Sequence, residues 1–157
     1  MNLTRLSGVL LGVTLGLALA AAGCGGGGSS TPASPSPAPS TASLGGSWSG
    51  TATDSSGPGL MTWVLTQSGT SFSGTLAMTD NSTGTKGAGT VSGTVSGNSI
   101  SFTLAVPAGG FGGTSTACSA SASGQGTASG ASVSGSYTGT NSCSGVISSG
   151  TITLSKQ

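Results

Sequence analysis

A chain of 157 residues with 3% charged positions and 31 glycines matches neither a charged helical bundle nor a highly charged disordered polymer, since ordinary domains carry roughly 25% charged residues. Setting aside an N-terminal leader and a linker leaves room for one compact domain of roughly a hundred residues or slightly more. Beyond Arg5 the charges are Asp54, Asp80, Lys86 and Lys156, which cancel; without clustered Lys or Arg, nucleic acid is not an expected partner.

Arg5 precedes a run of apolar or small residues from Leu6 to Ala22, followed by Gly23 and Cys24. This is the layout of a cleavable signal peptide over residues 1–23. A permanent membrane-spanning helix needs ~20 apolar residues and usually a charged stop, whereas Gly and Ser follow here. Ala21-Ala22-Gly23-Cys24 resembles the lipobox of bacterial lipoproteins, which implies that the Cys24 sulfur carries diacylglycerol and its new amine an acyl chain such as palmitate. Ala21 stands where that family most often has Leu; ordinary cleavage, leaving Cys24 free, is the alternative. Two or three buried chains, at ~0.8 kcal/mol per methylene, make a firm anchor. Gly25 replaces the Asp that usually signals retention in an inner membrane, so the expected location is the bacterial cell envelope, at an outer membrane or the cell surface.

From Cys24 to residue 45 the chain reads as a disordered linker. Glycines follow the cysteine, and Pro32, Pro35, Pro37 and Pro39 are spaced by Ala and Ser. Such a composition cannot bury a core; its glycines form a hinge and its prolines an extended spacer.

The domain over 46–157 has no helical stripe. Apolar residues alternate with Ser or Thr, as in half-buried strands: Phe72, Gly74, Leu76 and Met78; Val91, Gly93 and Val95; Ile100, Phe102, Leu104 and Val106; Val133, Gly135 and Tyr137; Ile152 and Leu154. Ser68-Gly69-Thr70, Gly97-Asn98-Ser99 and Ser129-Gly130-Ala131 join such runs as hairpin turns. About eight strands are expected, near 46–53, 60–67, 71–79, 88–96, 99–106, 114–124, 131–138 and 147–155. The fold class is therefore all-β, a small antiparallel up-and-down meander barrel, with a β-sandwich as the alternative. Closure would also remove the open edges through which uncharged Ser/Thr strands aggregate.

Gly46-Ser47-Trp48-Ser49-Gly50 resembles the start of lipocalin-like and avidin-like (calycin-like) barrels, in which the Trp plugs one end. Lipocalins lay an Arg from the last strand over that Trp; here Lys156 is the available substitute. The order of lipobox, Pro/Ser linker, Gly-Ser-Trp-Ser-Gly-Thr, Leu-Thr-Gln-Ser-Gly and Gly/Ser/Thr meander is similar to uncharacterised bacterial lipoproteins, a likeness that implies no activity.

With Cys24 lipidated, Cys118 and Cys143 form an even pair in an oxidising compartment, and a disulfide is expected. Two buried free thiols are the alternative. His and Glu are absent, so neither a metal site, which wants three or four ligands, nor acid-base catalysis is served. Asp54 and Asp80 open turn-like sequences. Gly87-Ala88-Gly89 and Gly124-Gln125-Gly126 lack the rest of a phosphate loop. No cofactor and no enzymatic activity are expected.

Two roles remain. A binding module would take a small apolar ligand inside the barrel, lined by Trp48, Trp63, Phe72, Met78, Phe102 and Tyr137, unless these only fill the core. A structural or interaction protein of the envelope surface would instead use its hydroxyl-rich exterior or loops on glycan or protein; the segment from Pro107 to Thr114, with Phe111 between glycine pairs, is one candidate contact.

Overall fold

The computed structural model describes residues 40–113 and 117–157. The leader, Cys24 and the linker up to residue 39 lie outside the described residues. Eight strands follow one another around a closed antiparallel barrel: β1 (Gly46–Asp54), β2 (Gly57–Ser68), β3 (Ser71–Asp80), β4 (Lys86–Ser96), β5 (Ser99–Val106), β6 (Ala120–Ser129), β7 (Ser132–Asn141) and β8 (Gly145–Lys156). β1 closes on β8 from Trp48 opposite Lys156 to Thr53 opposite Thr151. The arrangement is thus a meander barrel and not a sandwich, and no strand edge is left open to pair with another molecule.

Alternation decides which side each residue faces. In β5, Ile100, Phe102, Leu104 and Val106 are buried while Ser99, Ser101 and Thr103 are exposed. The same reading holds in β3, β4, β7 and β8, so the interior is apolar and the exterior is a sheath of hydroxyls. The three hairpins at one end share the sequence Ser-Gly-x-Ser, with Gly69, Gly97 and Gly130 at φ of 59, 57 and 58°. Glycine with positive φ at the first central position is the requirement of a type II′ turn, whose twist suits a β-hairpin.

Inside, large and small residues alternate in register from strand to strand. Phe72 lies opposite Gly93, Gly93 opposite Phe102, Phe102 opposite Gly124, Gly124 opposite Tyr137, and Tyr137 opposite Gly150. A methyl group on Gly93 would come 2.5 Å from the Phe72 ring, and one on Gly124 or Gly150 would overlap Phe102 or Tyr137. Each ring therefore occupies the space its neighbour leaves, the way a narrow barrel reaches interior packing density. Trp63 meets Phe102 edge to face, with centroids 5.4 Å apart.

β6 differs from its expected position at 114–124. Its inward residues are Ala120, Ala122, Gly124, Gly126 and Ala128, small because they face the bulky side chains of β5 and β7, so hydropathy contrast with the intervening Ser and Thr is nearly lost. The chain before it is the β5–β6 connection, in which Phe111 bridges to Gly87 and is buried, so that ring packs into the barrel. The barrel also begins before residue 46. Leu44 is buried, its amide donates to Gln67 Oε1, Gln67 Nε2 donates to Ala42 O at 3.1 Å, and Trp48 Nε1 donates to Leu44 O at 2.7 Å. This strap, with Lys156 Nζ 5.4 Å from the Trp48 ring centroid, closes the end at which β1 starts.

Cys118 and Cys143, 25 positions apart in sequence, are joined by a disulfide with Cα atoms 5.6 Å apart. Reducing it is expected to lower the unfolding free energy by about 3 kcal/mol through unfolded-state entropy, measured by denaturant titration with and without reductant. Gly150→Ala is expected to cost about 1–3 kcal/mol by overpacking against Tyr137. A double-mutant cycle with Tyr137→Leu should show coupling of about 1 kcal/mol or more; additive losses would mean that ring and glycine do not share space.

Candidate functional site at the open end of the barrel

A meander places alternate connections at opposite ends. Opposite the Ser-Gly-x-Ser turns lie the β1–β2 turn at Ser55 and Ser56, the β3–β4 turn over 81–85, the described parts of the β5–β6 connection at 107–113 and 117–119, and the β7–β8 turn over 142–144. These surround a cavity of about 640 Å³. Space exists because the inward residues near this end are small, among them Ala52, Gly57, Gly59 and Ala120, whereas Trp63, Phe72 and Phe102 fill the barrel beneath. Met61, Met78, Phe111 and Ile147 form apolar walls, and the Cys118–Cys143 disulfide borders them. Leu60 and Val146, 54% and 71% exposed, stand at the rim.

Polar groups converge on the same space. Tyr137, inward on β7, donates its hydroxyl to Asp54 Oδ2 on β1 at 2.8 Å, a bond that passes over the intervening β8. Asp54 Oδ1 accepts the Ser56 amide at 2.8 Å and so shapes the β1–β2 turn. Asp80 Oδ1 accepts the amides of Ser82 and Thr83 at 2.7 and 2.8 Å; those bonds, that of Thr83 foremost, hold its carboxyl below the usual range. Burial first, then the hydrogen bond and charge of Asp54, push the Tyr137 hydroxyl well above its usual value. Asn141 is the fourth polar side chain of this group, accepting the Cys143 amide at 2.9 Å.

Of the residues expected to line an interior site, Met78 and Tyr137 border the cavity, and Trp48, Trp63, Phe72 and Phe102 lie in the core away from it. Trp63 Nε1 is buried without a hydrogen-bond partner among the described residues. Asp54 and Asp80 have the turn-capping roles their sequences suggested, but both also line the cavity. That second role had no sequence signal, since it depends on two turns meeting at one end of a closed sheet. Ala52, Met61, Ala120 and Ile147 were likewise not singled out. On the outside, a shallow trough of about 830 Å³ crosses β4 to β8 over the Gly93–Gly124–Gly150 row, lined by Ser, Thr and Gln125.

The chain has one tyrosine, so its near-ultraviolet phenolate absorbance reports Tyr137 alone. Because the folded state disfavours the phenolate, the native midpoint should lie above the ordinary value of 10.0 and return to it in denaturant. By linkage the contribution to stability is intact below that value and is lost as pH rises through the folded midpoint. Asp54→Asn should lower the native midpoint only in part, since burial is the larger cause.

Comparison with protein-family models, with curated proteins and with solved structures yields no match.

Proposed function

We propose that this chain is a lipid-anchored protein of the bacterial cell envelope, at an outer membrane or the cell surface, whose calycin-like barrel is a non-catalytic module binding a small, largely apolar ligand. The cavity at the open end carries the binding reading: its volume lies within the range of small-molecule sites, and it combines apolar walls with a few convergent polar groups. The calycin-like assignment draws support from the eight-stranded meander and from Trp48 at the closed end beneath the Lys156 ammonium. Anchoring rests on the lipobox-like Ala21-Ala22-Gly23-Cys24. The strap at residues 42–45 enters the barrel at its closed end, opposite the cavity.

A second reading, a surface protein contacting neutral glycan, is favoured by the outer trough, whose lining is uncharged and hydroxyl-rich.

Native mass spectrometry of protein purified from its own membrane tests both. The expected spectrum shows diacylglycerol and acyl mass on Cys24, loss of two hydrogens for the disulfide, and a retained small molecule. Ala120→Phe, which fills the cavity, should abolish retention while leaving the Cys24 modification. An unmodified Cys24 would remove the anchor, and a ligand kept by Ala120→Phe would remove the mouth as its site.

A further inference from the structure

The chain has two acidic side chains in all, on different turns, and both border this one cavity. No lysine or arginine lines it. Lys156 is at the opposite end over Trp48, and Lys86, opposite Thr79 at the start of β4, is exposed. Asp54 is half-buried, and its two oxygens each accept one hydrogen bond, from Ser56 and from Tyr137. A carboxylate offers about four acceptor positions, so about two remain for a donor within the cavity. Asp80 has one oxygen committed to its own turn.

The walls beside these carboxylates are the surfaces that tolerate a cation: the Tyr137 and Phe111 rings and the polarisable thioethers of Met61 and Met78. In an almost uncharged domain these fixed charges are screened by no neighbouring cation of the cavity. We infer that the mouth selects a small organic cation, an amine bearing an apolar group, with its ammonium toward Asp54 and its apolar part against Met61, Met78 and Phe111. This rests on the mouth being the ligand site. An anionic ligand of the same shape is rejected by the two carboxylates, and a neutral one lacks the ion pair between ammonium and carboxylate, worth about tenfold or more in affinity.

The test uses the full lipidated chain in zwitterionic nanodiscs, with empty nanodiscs subtracted, and equilibrium dialysis of three probes of similar shape: 2-phenylethylamine, 2-phenylethanol and phenylacetate. The expected order is amine over alcohol by about tenfold or more, with phenylacetate weakest. Asp54→Asn keeps an oxygen for the Ser56 amide and should abolish the preference for the amine, bringing amine and alcohol to similar binding. Asp80→Asn, verified as folded by the same tyrosine titration, should have a smaller effect. Equal binding of all three probes, each lost in Ala120→Phe, would overturn the cationic selectivity and leave the mouth as a ligand site. Absence of binding by every probe would overturn both.

Discussion

An aromatic ring laid over a glycine on the next strand is the packing relation on which the rest of this barrel depends. Eight strands enclose an interior too narrow for bulky side chains on every strand at one level. The row Phe72, Gly93, Phe102, Gly124, Tyr137, Gly150 solves this by giving each large group a small neighbour in register. Closure then satisfies every ladder and hides the edges of strands whose outer faces carry almost no charge to keep copies apart. Glycine, normally a weakness within a strand, here determines where the rings go.

The same relation separates the two ends. Toward the Ser-Gly-x-Ser turns the interior is filled and capped by Leu44 and Trp48. Toward the other end several inward positions shrink to Ala and Gly, leaving space between the walls of Met61, Met78, Phe111 and Ile147, and longer connections surround it. Tyr137 belongs to both regions: its ring completes the packed row, and its hydroxyl reaches Asp54 at the cavity. Stability and the proposed site are thus coupled through one side chain, and the disulfide ties together two of the connections that frame the opening.

Electrostatics enters by scarcity. A domain wrapped in Ser and Thr hydroxyls has a weak field over most of its surface, and among the described residues two carboxylates and no cationic side chain line the cavity. The proposed preference for a cation follows from that imbalance. On the exterior the glycine row leaves its imprint as the uncharged trough, whose chemistry suits a neutral partner if any.

Period-two alternation made the strand face legible wherever a hydrophobic residue alternated with Ser or Thr, as in β3 and β5, and the three Ser-Gly-x-Ser turns marked their hairpins. The disulfide was legible from the parity of the cysteines. β6 was misplaced because small inward residues carry little hydropathy contrast, and its true position follows from Phe102 and Tyr137 on adjacent strands. The strap at 42–45 was hidden within linker-like composition, where Leu44 enters the core and Ala42 packs against it. Local sequence therefore determined strand character, turn chemistry and the inward face, because these depend on neighbours one or two residues away. Only the closed tertiary structure decided that Asp54, Asp80, Met61, Phe111 and Tyr137 share a cavity, because that juxtaposition arises from register between strands distant in sequence.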